Sequence, residues 1–250
     1  MLTTIIKTHN CENTLYDVLE SVKKSDEIII VDAHSSDDTV KIAKEYKANV
    51  VYAYVSELSQ ILNQTLDEVQ NDWILFLNDN EMVSNELLDN IFRYIQKPKR
   101  NKNAMSLPIK KYYLEKEITS ARIKSSIRVF NKQFCSFKQD NTGEIELNKS
   151  KIHKFNRGFS PNKGFIISTR KKTFPYFQEM IEKNLIEFRE YENDLSIFSK
   201  PFSKFLYWYL WRGAIFDGKR GFIYSFGEAV SSFMIGCAEY ERIEDDIQQD

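Results

Sequence analysis

Read as apolar and polar positions, the first half of the chain switches between two periods. Short apolar runs predict strands: LTTIIKT at 2–8, EIIIVD at 27–32, residues 49–54 and WILFL at 73–77. Between them the apolar spacing lengthens to three and four and predicts helices. One covers 14–24, with Leu15, Val18, Leu19 and Val22 on one face. A second opens in SDDTVKIAKEY, with Ser36 as its cap and Asp37 and Asp38 in its first turn; others follow at 57–70 and from Ser84 to about Ile95. Strand and helix alternating this way predict an α/β fold, a mostly parallel sheet flanked by helices.

After Pro98 the pattern changes. The basic stretch KPKRNKN leads into the strand-like pieces AMSLPI, SSIRVF and GFIIST, and these give way to helical stretches near 173–198, 201–215 and 220–245. The expected organisation is therefore 1–97 and 98–172 as two halves of one domain, with 173–250 as a C-terminal helical extension. There is no internal repeat, and 8 Gly and 5 Pro leave little material for long linkers.

With 250 residues, 42% of them hydrophobic, the chain has enough apolar material for a sizeable core. The aromatic stretch FLYWYLWRGAIF at 205–216 is too short to cross a bilayer and carries Arg212. The opening MLTTIIKTHN lacks the pattern of a secretory leader, and Cys11, Cys135 and Cys237 are too scattered for a metal site or a full set of disulfides. The expectation is a cytoplasmic protein.

The net charge of −1 hides a partition. Residues 1–96 hold 7 Lys and Arg against 17 Asp and Glu (−10), residues 97–172 hold 20 against 5 (+15), and residues 173–250 hold 8 against 14 (−6). The basic middle third is either a solvated lysine-rich surface or a face toward an anionic partner. Its cations form no recognition helix, so nucleic acid is not the expected anion.

In parallel sheets, ligands bind outside the carboxyl ends of the strands. Here those ends read KTHN, VDAHSSDDT and NDNE, so three strands deliver polar side chains to one sheet edge. KTHNCEN contains no glycine, which argues against a glycine-rich phosphate loop and nucleotidyl transfer.

TIIKTHNCENTL, DEIIIVDAHSSDDTVKIAKEY and LNQTLDEVQNDWILFLNDNE, taken in order, resemble the nucleotide-sugar half of family 2 glycosyltransferases with the GT-A (Rossmann-like) fold. RVF, YLWRGAIFDGKRGF and the closing amphipathic helix resemble the branch of core glucosyltransferases that build bacterial lipopolysaccharide or lipooligosaccharide. The resemblance implies nucleotide-sugar contacts at Thr8, His9, Asn10, Asp32, Ser35 and Asn63, and at the strand-four end Asn78, Asp79 and Asn80. A carboxylate at Asp32 suits a base N–H such as the imide of uracil. Asp37 and Thr39 match the same element, but a helix start explains them equally well.

The family holds a divalent ion with two alternate carboxylates, and the aligned positions here are Asn78 and Asn80. Amides bring no charge, so affinity for Mg or Mn should fall. Asp79 and Glu81, two apart, rebuild a pair if the loop stays extended, which makes Asp79, Asn80 and Glu81 the candidate metal residues. Alternatively, cations of the basic region neutralise the diphosphate, with Arg128 the candidate for an acceptor or phosphate group. An inverting transferase also needs a carboxylate to take the acceptor proton. The family keeps it in a His-Glu pair after an Arg-Leu-Phe motif. Here Arg128, Val129 and Phe130 precede DNTGEIE, so Glu144 is the matched base, Gly143 stands for the histidine, and Asp140 and Glu146 are alternatives.

The aromatic stripe either packs the C-terminal helices or rests on a membrane surface with Trp208, Tyr209 and Trp211 at headgroup level. The resemblance implies an inverting hexosyltransferase that uses a nucleotide sugar, UDP-linked, and an anionic lipid-linked glycan acceptor at the inner face of the cytoplasmic membrane. The amides at 78 and 80 and the glycine at 143 leave a second reading open: a chain that keeps the fold as a binding or scaffold module.

Overall fold

A computed structural model describes residues 1–98, 102–113, 116–118, 124–140, 143–147, 152–154, 164–170 and 196–249. The first half follows the apolar periods closely. Strands β1 (Leu2–Thr8), β2 (Glu27–Asp32), β3 (Asn49–Tyr52) and β4 (Trp73–Asn78) alternate with helices α1 (Glu12–Val22), α2 (Thr39–Glu45) and α3 (Leu58–Glu68). β5 (Glu81–Val83) and α4 (Asn85–Gln96) follow, and Ser84 caps α4 by accepting from the Leu87 N–H at 3.4 Å. Ser36 is not the cap of α2. Asp38 occupies the cap position without a side-chain capping bond, and the Asp37 carboxylate takes the Thr39 N–H instead.

The sheet runs β3-β2-β1-β4-β8-β6-β12-β5, with β8 (Lys124–Asn131), β6 (Ala104–Tyr113) and β12 (Ile166–Arg170) forming its second half. β3, β2, β1 and β4 are parallel, β8 is antiparallel to β4 and to β6, and β11 (Ile152–Lys154) adds to β6 in parallel. The result is a mostly parallel, GT-A-like sheet flanked by helices, as the alternation predicts. β5 pairs antiparallel with β12.

Successive residues of the parallel strands point to opposite faces, and both faces are covered. Ile6, Ile30, Leu75 and Leu77 join Leu15, Val18 and Leu19 of α1 and Leu87, Leu88 and Ile91 of α4 in one core. Ile5, Ile29, Val31, Ile74 and Phe76 join Leu58, Leu62 and Leu66 of α3 in the other, with Phe130 and Phe137. Phe137 belongs to β9 (Cys135–Phe137), which pairs with β10 (Ile145–Leu147) as a two-stranded ribbon beside the second core.

The chain divides into two compact units, Met1–Lys110 with Ile123–Ser168, and Lys111–Arg122 with Thr169–Asp250. In the second unit the end of β6 pairs with β7 (Lys116–Glu117), and α5 (Ser196–Leu206) packs on α6 (Gly218–Gln249). The helix expected over 201–215 starts earlier and breaks: a π turn at Tyr207–Trp211 ends at Gly213, whose φ of 77° is left-handed, and a 3-10 turn at Ala214–Asp217 leads into α6. Most of the helix expected over 173–198 falls on residues outside the described ones. All three cysteines are free.

Candidate active site

The sheet edge at the ends of β1, β2 and β4 is built by register. Thr8 pairs with Asp32 across the first two strands, and Lys7 pairs with Asn78 across β1 and β4. The Thr8 hydroxyl donates to Asp32 Oδ1 at 2.8 Å, the Ser35 hydroxyl donates to the same oxygen at 2.6 Å, and the Ser35 N–H donates to Oδ2 at 2.8 Å. Thr8 and Asp32 are buried. Asp32 thus anchors the loop after β2.

The loop after β1 is stitched to the loop after β2. Asn10 is left-handed (φ 46°), its N–H donates to Ser35 Oγ at 2.9 Å, and its side-chain oxygen accepts from the Ser36 N–H at 2.9 Å. His9 Nδ1 lies 2.9 Å from the Ala33 carbonyl. The Cys11 N–H donates to Thr39 Oγ1 at 2.8 Å, and Asp37 accepts from the Glu12 and Thr39 N–H groups, both at 3.0 Å. One carboxylate therefore starts both α1 and α2. Burial pushes Asp37 up, but these bonds outweigh it and hold its carboxyl below the usual value.

The NDNE stretch is a turn, not an extended run. Asp79 and Asn80 reverse the chain between β4 and β5, and the Glu81 carboxylate folds back to accept from the Asn78 N–H at 3.0 Å. The Thr14 hydroxyl donates to the Asp79 carbonyl at 2.9 Å, which ties this turn to α1. The other oxygen of Glu81 meets the Arg128 guanidinium at 2.9 Å, in a pair only 4% and 13% exposed at the two side chains. Asp79 also bears on Cys11: burial first, and the Asp79 charge second, hold that thiol far above its usual range.

This arrangement decides which groups suit a divalent ion. Glu81 is committed to Arg128 and to its own turn, so the dicarboxylate pair that an extended Asp79–Glu81 segment would make is not formed. The turn's other oxygen donors are the Asp79 carboxylate and the amides of Asn78 and Asn80, a weak set for a hard cation. Among the described residues no group of three or more His, Cys, Asp or Glu is arranged to hold a metal.

The candidate base arrives on the β9–β10 ribbon. Asn63 of α3 clamps that ribbon: its Nδ2 donates to the Phe137 carbonyl at 3.0 Å and its Oδ1 accepts from the Phe137 N–H at 2.9 Å. The amide expected at the nucleotide is thus occupied by backbone. Glu144 is 63% exposed and ion-paired with Lys138, whose ammonium it raises above the usual value; Asp140 and Glu146 add to that field. Gly143 has φ 76°, and a Cβ there would lie 3.3 Å from Phe76 Cζ. A histidine there would strain the left-handed backbone and press on Phe76. The Arg128 guanidinium lies 6.0 Å from the centre of the same Phe76 ring, so Phe76 carries both the Glu144 loop and the Glu81 to Arg128 pair.

The sequence reading passed over Thr14, Phe76 and the stack of His34 on Tyr54 (4.3 Å between ring centres, 28°) beside β3. The last had a signal in Tyr52, which ends β3, and Tyr54 just beyond it.

Residues 3–148 match the family model described as Glycosyl transferase family 2. An uncharacterized glycosyltransferase of Rickettsia typhi is 28% identical over 261 residues, spanning 97% of this chain and 85% of that protein. One from Rickettsia conorii is 27% identical over 260 residues, with 97% and 88% covered. Among solved structures, S. aureus TarS matches with 12% identity and a TM-score of 0.49, over 95% of this chain and 55% of TarS, so the chain spans a little over half of that protein's length. TarS 1–349 in complex with UDP-GlcNAc matches with 12% identity and a TM-score of 0.46, over 93% and 81%.

Proposed function

The chain belongs to glycosyl transferase family 2, and from that premise we propose that it is an inverting hexosyltransferase whose donor is a UDP-linked sugar and whose acceptor is a lipopolysaccharide, lipooligosaccharide or related surface glycan. What carries the reading is the joining of Thr8, Asp32, Ser35 and Asn10, from two strand ends, to a third through Thr14 and the Asp79 carbonyl. A base and its pyrophosphate need such a run of donors and acceptors along one edge.

In this proposal Thr8, His9, Asn10, Asp32 and Ser35 face the nucleoside, and the Asn78–Asn80 turn faces the diphosphate. Glu144, with Asp140 as alternative, takes the acceptor hydroxyl proton as the new glycosidic bond forms. The bond from the anomeric carbon to the diphosphate oxygen breaks on the opposite side, and the electron pair leaves on the diphosphate. Lys138, ion-paired with Glu144, holds that carboxylate on the ribbon. A divalent ion contributes little, because the turn offers one carboxylate. The acceptor is anionic and lipid-linked, taken at the inner face of the cytoplasmic membrane; no described helix is long and apolar enough to cross a membrane.

The test is a thermal-shift titration of the purified chain with free nucleotides and a panel of nucleotide sugars. A saturable rise in Tm with UDP or a UDP-sugar is expected, and no shift with any member sinks the proposal. The amides at 78 and 80 and the glycine at 143 favour a second reading, a binding or scaffold protein. A cellular phenotype that survives both Glu144→Ala and Asp79→Ala would select it.

A further inference from the structure

The second unit carries a pair of arginines that have no counter-ion among the described residues. Arg212 ends the π turn and Arg220 sits in the first turn of α6. Among the described residues neither side chain meets a hydrogen-bond or ion-pair partner, and the Nε of each is buried without one, as is that of Arg128. A buried, unmatched guanidinium N–H is uncommon, and Arg128, which shares it, has the Glu81 carboxylate for its charge, whereas these two have no carboxylate among the described residues. The one acid between residues 207 and 222 is Asp217, against Arg212, Lys219 and Arg220.

Glycine brings the backbones that carry the two arginines into contact. At Gly221 a Cβ would lie 1.8 Å from the Ala214 carbonyl oxygen, so the first turn of α6 rests directly on the backbone two residues beyond Arg212. An aromatic pair links them as well. Arg212 lies 5.2 Å from the Trp208 ring centre, Trp208 meets Tyr224 edge-on at 5.3 Å, and Tyr224 is one helical turn beyond Arg220. The unpaired N–H groups of a helix start also favour an anion at this end of α6.

The surroundings select the kind of anion. Trp211 is 84% exposed and Phe216 90% exposed, and each is within four residues of an arginine. Aromatic side chains in water beside uncompensated cations suit the boundary between headgroups and acyl chains. We propose that Arg212 and Arg220 bind the phosphate of a lipid headgroup while Trp211 and Phe216 enter the interface around it. The inference rests on the proposed function only in giving that lipid a role as carrier of the acceptor.

The experiment uses the full chain with phosphatidylglycerol vesicles, phosphatidylcholine vesicles and inorganic phosphate, beside R212Q/R220Q and W211S/F216S. Retention on phosphatidylglycerol and not phosphatidylcholine is expected, weakened about tenfold or more by R212Q/R220Q, since two surface cations are removed. W211S/F216S should weaken it too, and its exposed positions make misfolding no explanation. Equal retention on both lipids, or retention unchanged in R212Q/R220Q, overturns the site. Absence from all vesicles, whether or not inorganic phosphate raises the Tm through the arginines, overturns the lipid. The Tm shift with a UDP-sugar, measured on the same preparations, reports the donor site separately: its loss with vesicle binding intact defeats the proposed function and not this inference.

Discussion

Glu81 and Arg128, 47 positions apart in the chain, form a nearly buried ion pair at 2.9 Å, and the same carboxylate closes the turn that carries Asn78, Asp79 and Asn80. Removing one member leaves the other charge buried. Arg128→Met should cost about 3–5 kcal/mol, and the double variant Glu81→Gln with Arg128→Met should recover part of it. Denaturant unfolding checks this. A single variant as stable as the parent would mean that the pair holds nothing in place.

Gly143 is constrained twice, by its left-handed backbone and by Phe76. Gly143→Ala should destabilise the protein by about 1–2 kcal/mol, the cost of a left-handed backbone for a residue with a Cβ. Calorimetry on the variant, with Phe76→Leu as a relief of the second constraint, distinguishes the two sources. If alanine is neutral, the loop adopts another conformation.

Asp37 gives a pH dependence. Its carboxyl is held below the ordinary value of 3.8 in the folded protein, so its contribution is present above that value and is lost as pH falls through the lower folded one. Asp37→Asn should therefore lower the Tm at pH 7 and lose its effect as the pH is taken below 3.8. An equal deficit at both ends of that range would show that the hydrogen bonds matter and the charge does not.

The diphosphate turn predicts its own metal response. The parent should show weak Mn stimulation, whereas Asn78→Asp with Asn80→Asp should gain a chelator-sensitive component. Assays with and without EDTA decide. Strong chelator sensitivity in the parent would contradict the weak ligand set drawn from Asp79 and two amides.

Glu144 is exposed, so its replacement should spare the fold. Glu144→Gln is expected to lower kcat by about 10²–10⁴ with the donor-induced Tm shift unchanged. If Glu144→Gln is fully active and Asp140→Asn is not, the base is Asp140.

Local pattern alone determined the α/β alternation, the ends of β1 and β2, a helix starting at Ser84 and the gathering of KTHN, VDAHSSDDT and NDNE at one edge. Periodicity records which side of an element is buried, and parallel strands put their carboxyl ends together wherever they lie in the sequence. Tertiary structure decided the partners of the polar groups. Asn63 reads as a ligand until Phe137, 74 residues on, takes both ends of its amide. Glu81 reads as half of a metal pair until Arg128 reaches it. AMSLPI, SSIRVF and GFIIST read as strand pieces, but their antiparallel pairing, and the return of β5 to β12, did not, because a strand's own residues do not name its neighbour. A side chain's chemistry is written in the sequence, but whether its hydrogen bonds are already filled depends on contacts that only the folded chain makes.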